Sequence, residues 1–292
     1  MSTWGVADIP DQQGRTFLIT GANSGLGAVA ARALADRGAS VVLACRDVAK
    51  GQMVADGYPG RARVVRLDLA DLASVRECAA ALPDPIDVLI NNAGVMAVPF
   101  RRTVDGFEMQ VGTNHLGHFA LTGLLLGRIR DRVVTVSSGA HHSGRVDLAD
   151  LNWERRPYRR WAAYGQAKLA NLMFTYELQR RLTAAGSSVL SVAAHPGYAA
   201  TNLQSHTESA LDRMMALGNR LFAQSAAMGA LPELYAAAMP VGAGAYYGPE
   251  SLGGMRGGPT RARSSAASRD IATASGLWEL SERLTRVTYE FD

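Results

Sequence analysis

Two groupings of residues have the types and spacing for chemistry. Tyr164 and Lys168 stand four apart in Tyr164-Gly-Gln-Ala-Lys168, which sets a phenol and an ammonium group on one face of a helix. The chain has nine tyrosines and two lysines, Lys50 and Lys168. Chance would supply about 9 × 2/292, or ~0.06, such pairs, so the match carries weight, with a surface tyrosine packed on a lysine stem as the structural alternative. The second grouping is Thr16 to Gly27, a short apolar run followed by Gly21, Gly25 and Gly27 and then an unbroken helical stretch. Strand, glycine-rich turn and helix form a phosphate-binding unit: glycine lets backbone approach a pyrophosphate, which sits at the positive helix end. The spacing is Gly-x-x-x-Gly-x-Gly rather than Gly-x-Gly-x-x-Gly, and a plain turn is the alternative.

The elements that must position these residues follow in order. Apolar runs at Phe17–Ile19, Ser40–Ala44, Arg63–Leu67, Ile86–Ile90, Val133–Val136 and Ser188–Ala194 read as strands, with Gly244–Tyr247 as a last one. Helical stretches separate them: Leu26–Arg37, Leu72–Leu82, about Asn114 through Leu126 to Arg130, Trp161–Ala185 and Ala230–Ala238, with Trp278–Leu284 closing the chain. Residues 1–15 read as an irregular lead-in. The alternation predicts an α/β fold, a single Rossmann-type doubly wound domain over 1–292, with a parallel sheet of about seven strands and helices on both faces. The stretch 139–161 is too long for an ordinary connection and reads as an inserted loop, either an active-site wall or a mobile surface loop. A segment near 198–228, with Met214, Met215, Leu217, Leu221, Phe222 and Met228, reads as core or as an adaptable apolar lid over a substrate. Gly253 to Arg269 is rich in Gly, Ser and Arg and reads as exposed loop.

The strand ends carry further candidates. Arg46 follows the second strand, where an acid binds the ribose 2′-hydroxyl of NAD and an arginine accommodates the 2′-phosphate of NADP. This favours NADP(H) over NAD(H); a solvent-facing arginine is the alternative, and Asp47 reads as a helix cap. Asp68 ends the third strand and could accept from an adenine amino group or a backbone N–H, unless it or Asp71 caps the next helix. Asn92, Ala93 and Gly94 leave room for a ligand after the fourth strand, or form a simple turn. Asn114 stands near a helix start, as an N-cap or a functional group.

Composition narrows the classes. The 292 residues are 48% apolar, enough for one sizeable core. Net charge is +4, carried by 28 arginines and two lysines, but no segment combines dense basic charge with regular aromatics, so no nucleic-acid partner is expected. Two cysteines, Cys45 and Cys78, suggest a reducing compartment. The first residues lack the apolar core of a signal peptide and no apolar run approaches the ~20 residues of a membrane span, so a soluble cytoplasmic protein is expected. His141 with His142, and His115 with His118, have no supporting Cys or carboxylate spacing, so no metal site is expected.

Thr20-Gly-Ala-Asn-Ser-Gly-Leu-Gly27, Asn91-Asn-Ala-Gly94, Asn114, Ser138, Tyr164-x-x-x-Lys168 and Pro196-Gly197 together resemble, in order, the short-chain dehydrogenase/reductases. The resemblance covers roughly residues 14 to 250. Ala44-Cys-Arg-Asp47, Asn114-His-Leu-Gly-His118 and the His141-His142 region look closest to the retinol-dehydrogenase-like branch, which mostly prefers NADP. The resemblance implies a hydride-transferring enzyme acting on a carbonyl or alcohol. Tyr164 would be the general acid in reduction and base in oxidation; Lys168 would lower its pKa from ~10 and hold the nicotinamide ribose. Ser138 would orient the substrate oxygen, and Asn114 would anchor a water linking Lys168 to solvent. Gly21, Asn23, Ser24, Gly25, Leu26, Gly27, Asn92, Ala93, Gly94, Pro196 and Gly197 would line the cofactor, Asp68 and Leu69 its adenine, and Thr201 its carboxamide or phosphates. Ser138 and Tyr164 are 26 residues apart in the sequence, a longer interval than most members have. Many members pair as homo-oligomers through the helices that correspond to Asn114–Arg130 and Trp161–Ala185. A non-catalytic NADP-binding sensor shares these motifs. A nucleotide-sugar epimerase or dehydratase keeps the Tyr/Lys pair but fits the glycine spacing and the short C-terminal region poorly.

Overall fold

Strand β1 (Thr16–Thr20) shows how the sheet is buried: Leu18 points into one apolar cluster, and Phe17 and Ile19 point into another on the opposite face. The strand β2 (Ser40–Cys45) and residues 88–90 of β4 (Ile86–Asn91) divide in the same way, as period-two geometry requires when helices cover both faces, with a register shift between Ile86 and Val88. The computed structural model describes residues 4–58, 60–82, 85–198 and 224–291. Between these strands and β3 (Ala62–Arg66), β5 (Ile129–Val136), β6 (Leu190–Ala194) and β7 (Tyr246–Ser251) run the helices α1 (Gly25–Ala35), α2 (Val48–Ala55), α3 (Leu72–Ala81), α4 (Met109–Val111), α5 (Gly117–Leu125), α6 (Arg160–Ala184) and α7 (Ala226–Ala238). With β8 (Arg256–Arg261), the sheet order is β3-β2-β1-β4-β5-β6-β7-β8, parallel through β7. The chain winds outward from β1 to β3 and then returns to β4, so the switch point lies between β1 and β4, where open α/β sheets bind ligands.

The eighth strand departs from expectation. β8 (Arg256–Arg261) lies inside the stretch read as exposed loop and pairs antiparallel with β7, with Pro249 opposite Pro259. Proline and glycine carry little strand signal, but an edge strand tolerates a missing N–H. Helix α8 (Ile271–Thr285) is also longer than the apolar stretch Trp278–Leu284 implied, with Asp270 capping its start through Ala272 N and Thr273 N.

Asn114 is not a helix N-cap. It lies within a single π turn, Gly112–Leu116, between α4 and α5, and the residue Arg130 expected to end that helix already belongs to β5. Asp47 and Asp71 do cap α2 and α3. Residues 150–156 are folded onto α6: Gln166 Nε2 donates to Leu151 O at 2.9 Å, Arg156 donates to Gln166 Oε1 at 2.6 Å, and the Arg156 guanidinium sits 3.8 Å over the Trp153 ring.

The C-terminus seals the face formed by α5 and α6. Phe119, Phe174, Trp278 and Tyr289 pack ring on ring, and the Tyr289 hydroxyl donates to Phe119 O at 2.6 Å. Gly123 on α5 has no room for a side chain, because a Cβ would lie 2.6 Å from the Tyr289 ring. Residues 271–291 thus cover part of the face formed by α5 and α6. Among the described residues, no helix is long and apolar enough to cross a membrane.

Candidate active site

A cavity of about 780 Å³ runs along the carboxyl ends of the strands. Its floor is built by the close approach of the β1 and β4 turns. Gly21 has φ +68°, and a Cβ there would lie 2.9 Å from that of Ala93; a Cβ at Gly27 would lie 2.5 Å from Asn92 Nδ2. These glycines let Asn92 Nδ2 reach Thr20 O at 2.7 Å. Gly25, with φ +56°, has nothing within 4 Å of where a Cβ would stand, and Ser24 at the start of α1 makes no side-chain cap. The first turn of α1 therefore turns uncapped N–H groups and open space toward the cavity, which suits a pyrophosphate. Arg46, Asp47 and Lys50 line the cavity beyond β2. From β2 to β5 is three strand spacings, about 14 Å, so the cavity has the length of an extended dinucleotide.

Beyond β5 lie the reactive candidates. Tyr164 on the first turns of α6 is buried and lines the cavity together with Ser138. The neighbouring Ser137 turns away and donates to Lys168 O at 2.8 Å, so Ser138 is the serine that faces Tyr164. Lys168 Nζ donates to Val136 O at 3.0 Å and lies 5.9 Å from the Tyr164 ring centre. Burial pushes the Tyr164 phenol up to about 12, and the Ser138 hydrogen bond only partly offsets it. Burial pushes Lys168 down to about 8. Desolvation is the main influence on the phenol in this arrangement, and the Lys168 ammonium is turned to the β5 carbonyl. Asn114 is buried and bonded twice to one residue, accepting from Val95 N at 2.8 Å and donating to Val95 O at 2.9 Å.

A family profile described as short chain dehydrogenase matches residues 15–212. The chain belongs to the short-chain dehydrogenase family. Within it, the branch is the retinol-dehydrogenase-like one. Retinol dehydrogenase 12 of Homo sapiens is 41% identical over 95% of this chain and 88% of its own length. Retinol dehydrogenase 13 of Homo sapiens is 48% identical over 66% of this chain, and the match spans 62% of that relative's length. A crystal structure of an uncharacterized protein from Mycobacterium paratuberculosis superposes with TM-score 0.87 at 52% identity, covering 99% of this chain and 100% of that one.

Of the candidates, Gly21, Asn23, Ser24, Gly25, Leu26, Arg46, Asp68, Leu69, Asn92, Ala93, Gly94, Ser138, Tyr164, Lys168, Pro196 and Gly197 line this cavity. Gly27 and Asn114 stand behind its wall as packing and bonding partners. Asp68 also accepts from Ala70 N at 3.0 Å, so part of the carboxylate is used locally. Thr201 and most of the segment near 198–228 lie outside the described residues.

Sequence reasoning missed several walls. Lys50, one of two lysines in the chain, stands one turn into α2 beside Arg46; its rarity and position were available signals. Gly253, Gly254 and Met255, at the β7–β8 turn, reach the cavity from the stretch read as tail. That turn is held there because Tyr198 N donates to Met255 O at 3.0 Å, and Gly197 has only backbone to offer against it, a Cβ coming within 2.5 Å of Met255 O. Trp161, from the end of the inserted stretch, is 48% exposed and meets Tyr164 edge-on at 6.2 Å.

Proposed function

We propose that this protein is an NADP(H)-dependent oxidoreductase that interconverts an apolar carbonyl and its alcohol. The observation that carries the reading is that Ser138, Tyr164 and Lys168 line one end of a cavity whose other end presents Arg46 and Lys50. The uncapped start of α1, the open space at Gly25 and the close packing at Gly21 and Gly27 suit a dinucleotide, with Lys168, Asn92 and Gly94 at its nicotinamide half. A bound nicotinamide supplies or takes up the hydride.

The chain's own residues do the rest. Ser138 Oγ and the Tyr164 hydroxyl converge on one point, where a substrate oxygen can be held by both. In reduction the Tyr164 hydroxyl gives its proton to that oxygen as negative charge develops on it; in oxidation the phenolate takes the proton back. Tyr164 must therefore reach the phenolate more easily than burial alone allows. The Lys168 ammonium is the nearby positive charge that can supply this once a ligand draws it from the Val136 carbonyl. Trp161 and Met255, 48% and 45% exposed, present apolar surface at the cavity and favour an apolar substrate. Arg46 and Lys50 favour the extra phosphate of NADP(H) over the diol of NAD(H).

Calorimetric titration tests the cofactor side directly. NADPH is expected to bind about tenfold or more tightly than NADH, with the preference lost in Arg46→Ala. Equal affinities, or binding of neither, would overturn the reading of the cavity.

A further inference from the structure

His118 on α5 is 1% exposed and takes no part in the steps above, yet both of its ring nitrogens are engaged. Nδ1 lies 3.0 Å from the Asn114 carbonyl oxygen and Nε2 lies 2.9 Å from the Thr20 hydroxyl. A carbonyl only accepts, so Nδ1 carries the hydrogen. Burial first, and then the positive charge of Lys168, push His118 down to about 4, with the Asn114 bond opposing, so the ring is neutral at pH 7 and its Nε2 is bare. Thr20 then donates to Nε2; the other acceptor near that hydroxyl, Ile90 O, is 3.4 Å away. The Thr20 oxygen keeps two lone pairs, and it has two donors: Asn92 N at 3.0 Å and Ala93 N at 2.9 Å. The Thr20 hydroxyl hydrogen, both of its lone pairs and both ring nitrogens of His118 thus find partners, with Asn92 N shared with Ile90 O at 3.0 Å.

We propose that His118 is a positioning residue: through Thr20 it holds the Asn92–Gly94 turn, and through the Asn114 carbonyl it holds the π turn, so that the two move as one piece. The link matters for the site because the same two segments meet again beside Lys168. A Cβ at Gly94 would lie 3.0 Å from Asn114 Oδ1 and 3.5 Å from Lys168 Nζ, and Asn114 grips Val95 through both its side-chain atoms. A shift of either turn moves the wall against which Lys168 is packed. π turns recur at functional sites, and here the histidine ties the irregular turn to the end of β1. The catalytic consequence rests on the function proposed above; the bonding pattern does not.

Two measurements test it. In protein carrying ¹⁵N-labelled histidine, with His118→Phe used for assignment, His118 is expected as the neutral Nδ1–H tautomer at pH 7 without any ligand. The Nε2–H tautomer, or a charged ring, overturns the proposal. In steady-state kinetics, Thr20→Val and His118→Phe are each expected to lower kcat by about ten- to a hundredfold with little change in substrate KM. The double variant should lose no more than the worse single one, and Thr20→Ser should recover most of the rate. Additive losses, or no recovery with serine at an unchanged thermal midpoint, overturn it. If His118→Phe does not fold, the remaining ring signals of wild type are assigned through the other histidines and the comparison of Thr20→Val with Thr20→Ser decides. A wild type that transfers no hydride refutes the functional reading and leaves the tautomer result to decide the bonding.

Discussion

Glu233 on α7 is 3% exposed, and neither carboxyl oxygen meets a hydrogen-bond partner among the described residues. Burial pushes its pKa from 4.5 up to about 8. Between those two values the folded protein keeps a proton that the unfolded chain has released. Stability is therefore highest below the unfolded value and falls as pH rises toward about 8. Each unit is worth about 1.4 kcal/mol, so the loss from pH 5 to pH 7 is roughly 3 kcal/mol and the whole effect roughly 5 kcal/mol. Glu233→Gln removes the titration and leaves an amide in the same space. The assay is urea unfolding, followed by tryptophan fluorescence at pH 5, 6, 7 and 8, for wild type and variant. The useful quantity is the difference between the two proteins, because buried histidines titrate in the same range and cancel in it. The variant should gain on wild type by roughly 3 kcal/mol between pH 5 and 7. Parallel pH profiles would refute the reasoning and would mean that Glu233 is ionised and paired in the folded protein.

Other outcomes follow from the same structure. Burial pushes His115 down to about 3 and His118, His141 and His195 to about 4 each, so these rings stay neutral when the unfolded chain is charged; stability should fall as pH drops from about 6.5 toward 4 in acid-unfolding curves. Lys50→Ala should weaken NADPH binding about tenfold and leave NADH within about twofold by calorimetry. Gly27→Ala forces a methyl to within 2.5 Å of Asn92 Nδ2 and should lower stability by about 1–3 kcal/mol and weaken NADPH binding further than Lys50→Ala does. With α8 and Tyr289 covering part of α5 and α6, sedimentation should show no pairing through those helices, and Tyr289→Ala should loosen that face and lower the thermal midpoint.

What was legible in the sequence followed from short-range rules. Short apolar runs such as 41–44 and 88–90, bounded by turn residues, are central strands, and the glycines at 21, 25 and 27 follow one where a phosphate-binding turn stands. The carboxylates at 47 and 71 cap helices as their spacing implies. What was hidden depends on contacts between distant segments. β8 has the composition of a loop and is a strand because β7 offers it a partner. Lys50 and Met255 reach the cavity only because α2 and the β7–β8 turn fold back over the strand ends. The sequence leaves Asn114 as either a helix cap or a functional group, because a π turn has no sequence period of its own. The spacing of Tyr164 and Lys168 shows a neighbouring charge, but burial, which a sequence does not display, is the larger effect on the phenol.

The most direct test of the account mixes wild type and Tyr164→Phe with NADPH and a panel of aldehydes and ketones and follows the loss of NADPH absorbance. Wild type should reduce apolar carbonyls, and Tyr164→Phe should bind NADPH as tightly while turning over about a hundred to ten thousand times more slowly. Turnover by Tyr164→Phe at the wild-type rate, or a wild type that binds NADPH and reduces none of the panel, would contradict it.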